Sequence, residues 1–307
     1  MATAFITHDD CSKHDMGRHH PESPARLAAI EDHLIASGIA GLVERHEAPS
    51  AKVSELARVH PLEHIEAIRE ISPQSGIVHL DPDTAMCPHT WDAAMRAAGA
   101  AVHATDLVLG GRAHSAFCAV RPPGHHATRT RAMGFCLFNN VAVGAMHALE
   151  QHGLERVAII DFDVHHGNGT EDIFSDDERV VMASIFQHPF YPYSGTEGPA
   201  PNMANVPLPA GSDGRALRAA VEKVWMPALE ELEPQMIFVS AGFDAHVEDD
   251  MAMLRFTEAD YAWVTQRIKE VADKYAGGKI VSVLEGGYAL SALGRSVVTH
   301  LKVLGSF

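Results

Sequence analysis

Four short segments of this chain carry residue types whose spacing suits metal and acid–base chemistry. In Asp161-Phe162-Asp163-Val164-His165-His166-Gly167-Asn168-Gly169, alternation predicts Asp161, Asp163 and His165 on one side of an extended strand end, with apolar Phe162 and Val164 on the other. A carboxylate and an imidazole two residues apart can share one cation. Without one, burying neighbouring carboxylates would cost several kcal/mol. A catalytic Zn²⁺ site needs three protein ligands and an open position. The third ligand this pattern selects is Asp244, in Ser240-Ala241-Gly242-Phe243-Asp244-Ala245-His246, because it follows another apolar strand and a nearby glycine lets backbones approach closely. Two carboxylates and one imidazole are a harder donor set than three histidines, so Fe²⁺ or Co²⁺ also suits it.

The other two segments supply protons. Prolines stiffen the approach in Arg121-Pro122-Pro123-Gly124-His125-His126 and Gly124 permits a turn, so two imidazoles are presented at a fixed place. Beside a metal-activated water they suit a general base and a general acid. Tyr288, in Glu285-Gly286-Gly287-Tyr288, ends a strand, and its phenol could hold a developing oxyanion, worth on the order of 2.7–4 kcal/mol per donor. Taken singly, each segment has an ordinary reading as helix cap, turn, loop histidine or packed tyrosine. Their combination is what points to catalysis.

These segments need a frame that brings them together. From about residue 91 the chain alternates helix-like runs (WDAAMRAAGAAVHATDLVLGG, NNVAVGAMHALEQHG, ALRAAVEKVWMPALEELEP, TEADYAWVTQRIKEVADKYAGG) with apolar strands (HSAFCAV, RVAIIDFDV, RVVMASIF, MIFVSAGFD, KIVSVLEGGY). Strands written as continuous apolar runs between helices predict a parallel sheet buried on both faces. All four chemical segments directly follow such strands, where ligands bind in open α/β sheets. The expectation is one crevice built from four loops.

Composition narrows the class. With 307 residues, 46% hydrophobic and 21% charged, the chain suits one elaborated α/β domain and carries no repeat or low-complexity stretch. A formal charge of −16 without a Lys/Arg cluster argues against direct nucleic-acid binding, and weakly favours a cationic substrate. Cys11, Cys87, Cys118 and Cys136 form no paired framework, and MATAFITHDD has neither a basic start nor a long apolar run, so a reducing cytoplasm is expected. No stretch approaches the roughly 18 apolar residues of a membrane span.

In this order, HHPESPARL, RPPGHHA, MGFCLFNNVAVGA, DFDVHHGNGT, SAGFDAH and EGGY resemble the histone deacetylase superfamily, from about His19 to Tyr288. Within it they are most similar to the class II branch, which includes bacterial histone deacetylase-like and acetylpolyamine amidohydrolases. The resemblance implies an arginase/deacetylase-like three-layer α/β fold: a mostly parallel eight-stranded sheet flanked by helices, with residues 1–307 as one catalytic domain. It implies Asp163, His165 and Asp244 as ligands of one Zn²⁺, His125 and His126 as the tandem histidines, and Tyr288 as the carbonyl-polarising tyrosine. Asp161 falls on the partner of His125 and Asn168 on the partner of His126. Class I members carry Asp at that last position, so Asn168 favours class II.

For substrate binding, the resemblance implies Phe135 and Tyr191 as tunnel walls, the Gly134 carbonyl near the tunnel, and Asp83 (or, in another register, Asp81) as the rim carboxylate. Arg26 matches an internal acetate path, a surface salt bridge being the competing reading. A structural K⁺ is expected near Asp161, Asp163, His165 and Ser184. Acetylpolyamine-type members place an acidic gatekeeper after the third ligand; here Met251 in VEDDMAML falls there, with Glu248, Asp249 and Asp250 close enough to shift the register. The implied function is zinc-dependent removal of acetyl or other acyl groups from an acylated amine, with acyl-lysine favoured. The alternatives are an acetylpolyamine amidohydrolase, an arginase-like ureohydrolase, or a catalytically silent acyl binder. The implied partner is the acylated amine alone, without nucleic acid or membrane; the oligomeric state stays open.

Overall fold

The structure, a computed structural model, describes residues 2–307. In chain order its elements are β1 (Thr3–Thr7), α1 (Ala25–Ala36), β2 (Glu44–Glu47), α2 (Val53–Leu56), α3 (Leu62–Ile71), the short pair β3 (Val78–His79) and β4 (Ala85–Met86), α4 (Thr90–Leu109), β5 (Ser115–Cys118) and α5 (Asn140–His152). There follow β6 (Val157–Asp161), α6 (Asn168–Phe174), β7 (Val180–Gln187), β8 (Met203–Leu208), α7 (Gly214–Ala220), α8 (Met226–Leu232), β9 (Met236–Ala241), α9 (Glu258–Val271), β10 (Ile280–Leu284) and α10 (Leu290–Gly305).

Eight strands form one sheet in the order β2-β1-β5-β10-β9-β6-β7-β8. Every neighbouring pair in it is parallel. At β6, β9 and β10 every residue is buried. Since successive side chains point to opposite faces, both faces must be covered, which is why these strands are apolar throughout. Helices α4 and α5 pack together against the sheet, and α10 packs with α1 and α9. Three strands of this sheet lie outside the apolar runs of the sequence. Two are sheet edges: β2 reads ERHE and is largely exposed, and β8 contains Pro207, which an edge strand tolerates. The third, β1, is the five-residue TAFIT.

The sheet order creates the site. β5, β10, β9 and β6 are consecutive neighbours, and their registers are level: Asp161 pairs with Ser240, Leu284 with Ala241, and Val283 with Cys118. The loops carrying His125-His126, Tyr288, Asp244 and Asp163-His165 therefore leave the sheet side by side at the carboxyl ends of its central strands, which lie about 4.8 Å apart.

Candidate active site

Asp161 is the last residue of β6, and the chain bends immediately after it. Phe162 and Val164 remain fully buried in the core, which fixes Asp163 and His165 on the other side. The His165 Nδ1 lies 3.0 Å from Asp163 Oδ1 and 3.3 Å from Asp244 Oδ2. These three donors, all buried, lie within 4.8 Å of one another. Backbone amides hold the carboxylates: Val164 N–H donates to Asp244 Oδ1 at 2.9 Å, His165 N–H to Asp163 Oδ1 at 2.9 Å and Gly286 N–H to Asp163 Oδ2 at 2.9 Å. Asp244 Oδ2 is buried and has no hydrogen-bond partner among the described residues.

An orphaned carboxylate oxygen, a second carboxylate and an imidazole fit a dication. The electrostatics agree. Burial disfavours a charged His165, but the carboxylates of Asp163 and Asp244, 3.0 and 3.3 Å from its Nδ1, outweigh it and raise its pKa to about 10, so the site stabilises positive charge at this point. Burial, then repulsion from Asp163, pushes the Asp244 carboxyl up to about 6, against the pull of His165. Burial also opposes ionisation of Asp163, but His125 and His165 override it and hold the carboxyl far below its usual range. Neighbouring backbone must also leave room. A Cβ on Gly286 would meet Asp244 Oδ2 at 2.1 Å and Asp163 Oδ2 at 2.6 Å, and one on Gly242 would meet Asp163 Oδ2 at 2.1 Å. Both positions demand glycine for close approach.

The tandem histidines sit against this group with different partners. His125 Nδ1 is 2.9 Å from Asp161 Oδ2, and its Nε2 is 3.7 Å from Asp163 Oδ1. His126 Nδ1 is 2.7 Å from Asn168 Oδ1, leaving Nε2 as its free nitrogen. Burial lowers both pKa values, with opposite outcomes. At His125 the carboxylates of Asp161, Asp163 and Glu285 prevail and raise it well above 6.5. At His126, repulsion from His125 and His165 adds to burial and drives it well below 6.5, because neutral Asn168 contributes less than the two cations. Burial holds the Tyr288 phenol protonated far above its ordinary range, the nearby Arg26 opposing.

A narrow cavity of about 140 Å³ opens over these groups, lined by His125, His126, His165 and Tyr288 together with Gly134, Phe135, Tyr191, Asp83 and Met251. All five residues expected to bind substrate thus face it. Asp81 instead accepts hydrogen bonds from Asp83 N–H (3.0 Å) and Thr84 N–H (2.7 Å), which leaves Asp83 at the rim. The acidic neighbours of Met251 are engaged elsewhere: Glu248 pairs with Arg295, and Asp249 caps the backbone of Tyr288, Ala289 and Met251.

Four residues near the cavity went unread in the sequence or were read ambiguously. Phe190, beside Tyr191, lays its ring against His165 (centroids 5.5 Å apart, 25° between planes) and lines the cavity. Glu285 is fully buried and accepts from Gly124 N–H (2.6 Å), His125 N–H (3.1 Å) and Ser240 O–H (3.1 Å), so it carries the histidine loop. Asp249 fixes the Tyr288 turn as just described. Arg26 is fully buried, which overturns the surface-salt-bridge reading: it donates to Gly287 O at 2.7 Å, pairs with Glu22 at 3.1 Å and lies 5.0 Å from the Tyr288 ring centre. The EGGY and DDM motifs could have flagged Glu285 and Asp249 as polar residues beside a strand end. Their partners lie far away in sequence.

The fold and this arrangement define a class, an α/β amidohydrolase built on a parallel sheet. The family profile of the histone deacetylase domain matches residues 20–304. The chain belongs to the histone deacetylase family and is a deacetylase acting on amide bonds. It is 36% identical to the histone deacetylase-like amidohydrolase of Pseudomonas aeruginosa, over 94% of this chain and 82% of that one. It is also 36% identical to the polyamine deacetylase HDAC10 of Mus musculus, over 99% of this chain and 48% of that one. The crystal structure of the HDA15 HD domain superposes with a TM-score of 0.92 at 33% identity, covering 100% of this chain and 90% of that one.

Proposed function

We propose that residues 1–307 act as one catalytic domain that removes acetyl or related acyl groups from acyl-lysine, using one Zn²⁺ held by Asp163, His165 and Asp244. The observation carrying the metal is the orphaned Asp244 Oδ2 beside Asp163 and His165. Bound there, Zn²⁺ supplies a Lewis acid for the carbonyl and lowers the pKa of water toward neutrality. His126, neutral and with Nε2 free, accepts the proton of the water attacking the acyl carbon. Tyr288 donates its phenolic hydrogen to the oxygen that becomes an oxyanion, its protonation secured by burial. His126 then returns the proton to the leaving nitrogen as the C–N bond breaks, so that amide and water become carboxylate and amine. His125, held charged by Asp161, keeps His126 neutral at the start of the cycle.

The cavity supports acyl-lysine as the substrate. Phe135, Phe190 and Tyr191 offer aromatic walls, and Met251, which the family resemblance aligns with the acidic gatekeeper of acetylpolyamine-type members, adds an uncharged lining there. Asp83 at the rim suits a peptide N–H donor. The competing polyamine reading draws on the name of the mouse relative and on the acidic depression formed by Glu248, Asp249 and Asp250 beside Met251. A structural K⁺ is supported by Ser184, whose buried hydroxyl lacks a partner directly across the sheet from Asp161. All four cysteines are free and buried, which suits a reducing cytoplasm. Among the described residues no helix is long and apolar enough to cross a membrane.

A kinetic panel of acetyl-lysine peptides, longer acyl-lysines and acetylated polyamines tests the proposal. Higher kcat/KM for the peptides is expected. A marked preference for the polyamines would overturn the assignment of Met251, and inactivity of zinc-loaded protein on every acyl-amine would overturn the mechanism.

A further inference from the structure

A second set of metal-capable side chains meets near the C-terminal ends of α4 and α5, and none of them lines the cavity. Asp106 lies in the last turn of α4 (Thr90–Leu109), and His147 and His152 lie in the last turns of α5 (Asn140–His152). Asp106 Oδ1 is 2.8 Å from His147 Nε2 and 2.7 Å from His152 Nε2. The two imidazole rings are 5.3 Å apart, and the three donor atoms lie within 4.8 Å of one another. Burial of His147 fixes one ligand, whereas Asp106 and His152 line an open surface depression of about 660 Å³.

We propose that Asp106, His147 and His152 form a peripheral site for a divalent transition-metal ion such as Zn²⁺ or Co²⁺. Two imidazoles and one carboxylate, with solvent free to complete the shell, are an ordinary donor set for these ions. A tetrahedral ion about 2.0–2.1 Å from each ligand holds its donors roughly 3.3 Å apart. The present contacts must therefore open by roughly half an ångström, which His152 allows because it is the last residue of its helix and partly exposed. The ion would pin the end of α4 to the end of α5. It would also add a second metal equivalent per chain that takes no part in the reaction, so a stoichiometry of two would not by itself signal a dinuclear centre.

One neighbour sets the strength of the site. Arg58 Nη1 lies 2.7 Å from His147 Nδ1 and donates to it, which places the His147 proton on Nε2, facing Asp106. An imidazole that binds a metal through Nε2 carries its proton on Nδ1 instead, and two donors would then face each other. For the ion to bind, the proton must change nitrogen and Arg58 must swing out. Among the described residues its other side-chain hydrogen bond is a long one, 3.5 Å to Gln151 Oε1, so solvent can take it. Arg58 therefore competes with the ion, and its removal tightens the site.

The test is titration of metal-free full-length protein with Co²⁺, followed by visible absorption and calorimetry. Wild type should bind two equivalents. His152→Ala, at a partly exposed helix end, should bind one while keeping wild-type turnover. Asp106→Asn, which retains an acceptor for helix pairing, should do the same. Asp244→Asn should lose the other equivalent, and Arg58→Ala should bind the peripheral ion about tenfold more tightly. A wild-type protein that takes up one equivalent, or a His152→Ala protein that still takes up two, would overturn the proposal. So would weaker peripheral binding in Arg58→Ala.

Discussion

Gly286 offers a way to disturb the metal position without touching a ligand. In Gly286→Ala the new Cβ would stand 2.1 Å from Asp244 Oδ2 and 2.6 Å from Asp163 Oδ2, and neither distance is tolerable below about 3.0 Å. Asp244 must retreat by about 0.9 Å and Asp163 by about 0.4 Å, or the Gly286 backbone must move and stretch its 2.9 Å hydrogen bond to Asp163. Metal–ligand distances tolerate roughly 0.2 Å. Displacing a reacting group by about 1 Å can cost about 10²-fold in rate. The variant should therefore retain Zn²⁺ at least about tenfold more weakly after dialysis and turn over an acetyl-lysine peptide about 10²-fold more slowly. Metal content by mass spectrometry, peptide kinetics and near-ultraviolet circular dichroism separate loss of the site from loss of the fold. Gly41→Ala is the control, since its Cβ meets nothing within 4 Å. A folded Gly286→Ala protein with wild-type zinc affinity and wild-type turnover would refute the reasoning.

Other outcomes follow from the same geometry. Tyr288→Phe should lower kcat by roughly 10²–10³-fold while leaving metal content unchanged, as expected for an oxyanion donor; unchanged kcat would remove Tyr288 from the mechanism. His126→Ala should lose turnover by about 10²–10⁴-fold, the usual range for a positioned acid–base group, and peptide kinetics checks it. Met251→Glu should shift the ratio of kcat/KM values toward acetylated polyamines, and a ratio that does not move would mean that residue 251 does not choose the substrate. Stability should fall on acidification between pH 6.5 and 4. Burial lowers the pKa of His14 to about 4, partly offset by Glu22, and of His60 and His300 to about 3, so the unfolded chain takes up protons there that the native protein refuses. Each such group, His126 included, contributes up to about 1.4 kcal/mol per pH unit. Burial raises the carboxyls of Asp244 to about 6 and Glu285 to about 7, so these take up protons in the native protein first and oppose the histidines, leaving a net slope of about 1–3 kcal/mol per pH unit. His125 and His165, whose pKa values are raised, are protonated in both states below pH 6.5 and add no slope in this window. Urea midpoints that stay flat from pH 6.5 to 4.5 would contradict this.

The central strands were legible in the sequence because a strand covered on both faces must be apolar at every position, as in VAIID, MIFVSA and IVSVL. The chemical residues were legible for a related reason: Asp163, Asp244, His125 and Tyr288 each stand in the loop that follows the carboxyl end of an apolar strand, where loops meet a ligand. The edge strands were not legible. ERHE and MANVPL form edges, and an edge with one neighbour is free to be polar or to hold a proline. Sequence alone determined which residue types stood ready, and in which loops. Tertiary structure decided who faces whom. The order β5-β10-β9-β6 set Glu285 under the histidine loop and Arg26 behind Tyr288, though their partners lie 160 and 261 residues away. It also split the tandem histidines, one beside Asp161 and the other beside Asn168, so that neighbours in the chain titrate in opposite directions. Local patterns encode which face a side chain takes. Burial and charge at a point are sums over neighbours that only the packed fold assembles.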